Sequence, residues 1–176
     1  IWDKGLLYKG FKIVPYCPRC GTPLSAQEVA QGYKDVKERS AIVRFKAKGE
    51  DAYILAWTTT PWTLPSNLGL CVNPTETYAK VKCIEGYTYY MAEALLDTVL
   101  GSLAKEGEAA YEVLETYQGK DLEYKEYEPL YQCAADGIAN QHKKAFYVIC
   151  DDYVTLTDGT GVVHTAPAFG EDDAKV

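Results

Sequence analysis

Apolar and polar positions alternate with a period of two over short runs, and turn residues close most of those runs, so the chain reads chiefly as strands. Residues 41–48 and 52–57 are expected to pair as a hairpin through the KGED turn. A short strand over 68–72 is closed by Asn73 and Pro74. Residues 78–84 and 87–91 form a second expected hairpin around Glu85 and Gly86, with Tyr78, Lys80 and Lys82 on one face and Ala79, Val81 and Cys83 on the other. Further strands are expected at 111–117, 145–150 and 162–166, the last after a DGTG turn at 158–161, while 122–129 fits no single pattern. Helical spacing is clear over 92–105, where Leu95, Leu96, Val99, Leu100 and Leu103 share a stripe. FGEDDAKV reads as the start of a helix, and IWDKGLLYKG as the end of one running into the domain. Short strands with few helices imply an α+β fold, a β-barrel-like core with peripheral helices.

Residues 1–40 are expected to form a leading segment and 41–176 the core of one structural domain. The sequence begins at Ile1 without a methionine and is expected to be a piece of a longer chain. In the leading segment, GFKIVPYCPRCGTPLS predicts two short strands around a tight CPRCG turn, and the polar stretch 27–40 is helix or loop. Cys17 and Cys20 make half of a zinc knuckle, for tetrahedral structural zinc needs four ligands and no second CxxC follows. Cys133 and His142 do not stand at a matching spacing. Either the other pair lies outside this sequence or the turn is metal-free. His142, in NQHKK, reads as solvated.

The 176 residues, 47% hydrophobic and 24% charged, suit one globular domain. No apolar run approaches the roughly 20 residues of a membrane helix, so no membrane partner is expected. A net charge of −7 with scattered Lys and Arg argues against a broad nucleic-acid surface, since phosphate neutralisation supplies most non-specific affinity. It leaves room for a pocket that takes one terminal nucleotide. Cys71, Cys83 and Cys150 sit in apolar runs as small hydrophobes, and a reducing cytoplasm is expected. Among the 15 tyrosines, the YTYYM run reads as alternating strand packing before it reads as an aromatic platform.

Two runs carry chemistry. WTTTPWTLPSN, residues 57–67, sets four threonine hydroxyls, two indoles and Asn67 after a strand that Pro61 and Pro65 prevent from continuing. It reads as a Pro-stiffened turn or as the wall of a polar small-molecule pocket, and the indoles favour the pocket. GTGVVHTAPAFGEDD, residues 159–173, places His164 on a strand face with Val162 and Ala166, as a satisfied core residue or as a site residue. Asp172 and Asp173 fall in the first turn of the expected helix, where the macrodipole favours negative charge; they read as ordinary helix-start residues or as an anchor for a ligand cation. No nucleophile elbow, metalloprotease motif or phosphate loop is present. An enzyme built this way would position water against an already labile substrate.

Together, in this order and roughly 100 residues apart, the two runs resemble the editing domain inserted in class I aminoacyl-tRNA synthetases, the isoleucyl enzymes in particular. The valyl and leucyl relatives typically read TTRP, with arginine where this chain has Thr60. The resemblance spans nearly the whole chain and implies a β-barrel core with helices around it. It implies hydrolysis of the ester that joins a wrong amino acid, mainly valine, to the 3′-terminal adenosine of tRNA(Ile), and action on valyl-adenylate. The double-sieve logic is that family's own, not something read off these residues.

The same resemblance implies that Asp173 pairs with the substrate's α-ammonium group and that His164 bounds the side-chain pocket. Thr58, Thr59 and Thr60 would hold the ester and terminal ribose, Trp62 and Thr63 would line the pocket, and Asn67 would be a polar positioner. Asp172 is not expected to touch substrate. Hydrolysis would need no cofactor, and structural zinc on Cys17 and Cys20 would be completed from outside this sequence. The expected partners are the 3′ end of mischarged tRNA(Ile) and the rest of the synthetase. Alternative readings are a non-catalytic module that binds aminoacyl-adenosine and, on CPRCG alone, a zinc-ribbon interaction domain.

Overall fold

The computed structural model describes residues 1–105, 108–141 and 143–176; the expectation for His142 lies outside them. In the leading segment, β1 (Tyr16–Cys17) and β2 (Thr22–Pro23) pair across the CPRCG turn. Helix α1 (Ala26–Ala30) follows, started by a capping box between Ser25 and Glu28. The expected N-terminal helix end is only a 3₁₀ turn, Trp2–Lys4, closed by Gly5 at φ 67°. No residue before Phe45 belongs to the core.

Strands β3 (Ala41–Lys46) and β4 (Tyr53–Thr58) form the first hairpin, in register from Ala41 opposite Thr58 to Lys46 opposite Tyr53. β5 (Gly69–Val72), β6 (Thr77–Cys83), β7 (Thr88–Ala92), β8 (Tyr111–Gln118), β9 (Tyr147–Cys150) and β10 (Val162–Thr165) complete an eight-stranded sheet. Its order is β8-β6-β7-β4-β10-β5-β9, with β3 along the other side of β4. The sheet curls into a half-barrel. Residues 126 and 127 draw it together: Glu126 bridges Tyr147 of β9, and Tyr127 bridges Ala47 just past β3. This is the structure of the stretch 122–129, whose short pairing carries no strand period.

Two further helix expectations need correction. Over 92–105 the chain forms 3₁₀ turns at Glu93–Leu95 and Gly101–Leu103 around a five-residue helix α2 (Leu96–Leu100). Leu95, Leu96 and Leu100 are buried as the stripe requires, but Gly101 is a poor helix former, and burial of the stripe is satisfied by a short element. The final segment makes turns, with hydrogen bonds from Ala174 N–H to Gly170 and from Lys175 N–H to Asp172, not a helix. A helix nucleus fixes several dihedrals for one bond, and here no buried face supports it. An additional helix, α3 (Gln132–Ala139), lies where no helical pattern was evident.

Tyr78 also departs from simple alternation. It is fully buried on the face of Lys80 and Lys82, and its hydroxyl donates to the Gly161 carbonyl at 2.6 Å and accepts from Asn73 N–H at 2.9 Å. YTYYM packs: Tyr89 and Tyr90 are buried, and Tyr87 stacks with Tyr89 beneath the Arg44 guanidinium. No described helix is long and apolar enough to cross a membrane.

Glu50, in the β3–β4 turn, ties three parts of the sheet together. It accepts from Lys80 at 2.8 Å and from the Tyr90 hydroxyl at 3.0 Å, and it pairs with Lys125. Burial pushes its carboxyl up, but these donors outweigh it and hold it at about 2. A folded pKa below the unfolded value means this stabilisation is complete above pH of about 4.3 and is lost as pH falls toward 2. Glu50→Gln is therefore expected to lower the melting temperature at pH 7. The gap from the wild type should close with acidification, as followed by circular dichroism.

Candidate active site

The threonine run leaves β4 and enters a 3₁₀ helix over Pro61–Ser66, with Pro61 at its start and Thr60 as N-cap. Thr60 N–H donates to Thr58 Oγ1 at 3.0 Å, and the two hydroxyls lie 3.3 Å apart. The run is thus both a hydroxyl-bonded turn and a wall. Strand β10 runs beside it, parallel to β4 with Val163 opposite Trp57, so the two informative runs become neighbours.

A cavity of about 380 Å³ opens between them. Thr58, Thr59, Thr60, Trp62 and Thr63 of the first run line it together with His164, Ala166, Phe169, Gly170 and Asp173 of the second. Thr58, Thr63 and His164 are buried, whereas Thr59, Thr60 and Trp62 are exposed; Trp62, at 68% accessibility, forms an open lip rather than an inner wall. Asn67 is buried behind the wall and does not line the cavity, which differs from its expected place beside the substrate. Its amide is consumed within the protein, as the hydrogen bonds below show.

Asp173 reaches the cavity by a different route from the expected helix start. Its carboxylate folds back to accept the Ala166 N–H at 2.9 Å, and the Tyr153 hydroxyl lies 3.5 Å away. Gly170 makes room for this: a Cβ there would stand 2.9 Å from the Asp173 carboxyl carbon. Asp172 points elsewhere and pairs with Lys175 at 2.9 Å. Gly159, at φ 77°, lies against Trp57, where a Cβ would meet the indole at 2.7 Å. The DGTG turn thereby fixes the indole at the edge of the cavity. Neither glycine's role was visible in the sequence beyond the turn signal at 158–161.

His164 is engaged at both ring nitrogens, Nε2 with Thr63 Oγ1 at 2.8 Å and Nδ1 with Asn67 Nδ2 at 3.0 Å. Burial lowers its pKa, and the charge of Asp173 opposes that shift only in part. The ring therefore presents a neutral, fixed surface to the cavity. Asp173 is the one carboxylate lining it among the described residues.

At the knuckle, Cys20 N–H donates to Cys17 Sγ at 3.3 Å, and hydrogen bonds from Cys20 lower the Cys17 thiol's pKa. This pair suits two corners of a tetrahedral zinc site. Among the described residues no group of three or more His, Cys, Asp or Glu gathers to complete one.

Comparison with known proteins places the fold and the family. Solved structures with similar folds include the crystal structure of GlLeuRS-CP1 (TM-score 0.58, 16% identity, 78% of this chain and 58% of that one). Another is the P. knowlesi cytosolic leucyl-tRNA synthetase editing domain (TM-score 0.57, 15% identity, 77% and 59%). At the level of sequence, isoleucine–tRNA ligase of Clostridium kluyveri is 56% identical over 174 residues, covering 99% of this chain and 16% of the relative. That of Clostridium acetobutylicum is 59% identical over 174 residues, covering 98% and 16%. The chain thus spans about a sixth of the length of these relatives. The family model for tRNA synthetases class I (I, L, M and V) matches residues 1–157, and with these relatives it shows that the chain belongs to the class I tRNA synthetases.

Proposed function

We propose that this chain is the proofreading domain of an isoleucine–tRNA ligase and hydrolyses the ester of valine on the 3′-terminal adenosine of tRNA(Ile). Valyl-adenylate is a second substrate of the same class. The observation that carries this reading is one cavity lined by both the Asp173 carboxylate and the threonine run. Asp173 holds the α-ammonium group, and Thr58, Thr59 and Thr60 hold the ester and ribose. His164 and Thr63 bound the amino-acid side chain, with Trp62 at the lip. The likeness to isoleucine–tRNA ligases and to leucyl editing domains supports the assignment.

Both nitrogens of His164 are occupied, so the ring is not a free general base. The reaction rests on an oriented water attacking an activated ester, helped by the neighbouring ribose hydroxyl of the substrate. Hydroxyl and backbone donors stabilise the developing oxyanion. No cofactor takes part. Cys17 and Cys20 supply two ligands of a structural zinc completed by other parts of the synthetase, which also present the acceptor end in the cytoplasm.

The test is deacylation by the full-length synthetase that carries this domain, with valyl- and isoleucyl-tRNA(Ile) as substrates. The valyl ester should be cleaved and the isoleucyl ester spared. Tight binding of a non-hydrolysable valyl-adenosine analogue, with both esters decaying only at the background rate, would favour a binding module instead.

A further inference from the structure

We infer that Asn67 and Tyr127 are positioning residues that fix His164 as the Nε2–H tautomer, so that the cavity wall is one rigid, uncharged ring. The donors and acceptors leave one arrangement. The Gly69 carbonyl can only accept, and it takes a hydrogen from Asn67 Nδ2 at 2.8 Å, which sets the orientation of the amide. Asn67 Oδ1 is then free to accept the Tyr127 hydroxyl at 2.7 Å. The second hydrogen on Nδ2 faces His164 Nδ1 at 3.0 Å, so that nitrogen carries none. Nε2 carries the proton and donates to Thr63 Oγ1 at 2.8 Å, and Thr63 donates onward to the Thr60 carbonyl at 2.8 Å.

Tyr127, Asn67, Thr63 and His164 are all buried, where a mismatched hydrogen would be costly. Burial pushes the Tyr127 hydroxyl well above its ordinary range, so it remains a donor. A proton added at Nδ1 would point at the Asn67 amide hydrogens. The charged group that faces the ring is Asp173, and its field alone does not supply an acceptor there. Tyr127 belongs to the bridge that draws β9 toward residue 47. The closure of the half-barrel and the pose of the wall are therefore one structure. For this reason Asn67 acts through His164 instead of touching substrate.

The chain has two histidines, so ¹⁵N-histidine labelling with His142→Gln for assignment reads the tautomer directly. At neutral pH, Nδ1 of His164 should resonate as a bare nitrogen and Nε2 as a protonated one. A proton on Nδ1, or averaged signals, would overturn the inference. Asn67→Asp offers Nδ1 an acceptor and should move a proton onto it; an unchanged spectrum would also count against the assignment.

The consequence for selectivity rests on the proofreading reading. In the full-length synthetase, Tyr127→Phe is expected to lower the ratio of valyl to isoleucyl deacylation about tenfold while valyl hydrolysis is largely retained. A purely structural role would lower both rates together and leave the ratio alone, and that result refutes positioning. Asn67→Asp, close in size to the native residue, gives the same readout should Tyr127→Phe fail to fold. If the wild-type synthetase cleaves neither ester, the proposed function fails while the tautomer measurement still stands.

Discussion

Asp173→Ala in the full-length synthetase is expected to lower kcat/KM for valyl-tRNA deacylation by about 10²–10³-fold, the effect of removing one partner from a desolvated charge pair. Asp173 is the one carboxylate that lines the cavity among the described residues, and it shares that cavity with the threonine run. Nothing else described there can neutralise an α-ammonium group. Its second duty is structural, since it accepts the Ala166 N–H. Asp173→Asn separates the two: the amide oxygen can still accept that N–H, but the charge is gone. Loss of deacylation in both variants identifies the charge as the functional element. Recovery of near-normal rates in Asp173→Asn would show that the residue only shapes the turn, and the anchor would have to be sought elsewhere.

His164→Ala is expected to admit isoleucine. The imidazole is buried, pinned at both nitrogens and part of the cavity wall, so an extra methylene meets an unyielding surface. Forcing such a group into a packed site costs about 1–3 kcal/mol, or roughly 5–150-fold in rate. Removing the ring should therefore raise isoleucyl-tRNA deacylation by that order while valyl-tRNA remains a substrate. The fold should survive, because Thr63 keeps its bond to Thr60 and Asn67 keeps its bonds to Gly69 and Tyr127. Parallel single-turnover assays with the two charged tRNAs measure the change. If both hydrolysis rates fall together, His164 is part of the chemistry and not a steric boundary.

The hairpins of the half-barrel were legible because their alternation and turn residues agree, as in β3–β4 and β6–β7. The two site runs were legible as well, since each places unusual polar residues after an apolar strand. Tertiary closure was not. The bridge at Glu126 and Tyr127 is two residues long, and a pairing that short leaves no period in a sequence. The final acidic run has the composition of a helix start, yet Asp173 spends its carboxylate on Ala166, and the segment stays in turns. Asn67 illustrates the same limit. Its residue type announced a polar role, but only the packing shows that its partners are Gly69, His164 and Tyr127.

The proposed size filter and the proposed grip are built on different mechanical foundations. His164 is set on an inner strand of the curled sheet, held by Thr63 and Asn67 of one stretch, with Tyr127 of a second stretch bracing Asn67. Asp173 sits on a surface turn beyond the last strand and is tethered chiefly through one backbone amide. On the proposed reading, substitutions at the turn retune how firmly the molecule grasps its ligand without altering which ligand it admits. Selection on either property can proceed while the other stays constant.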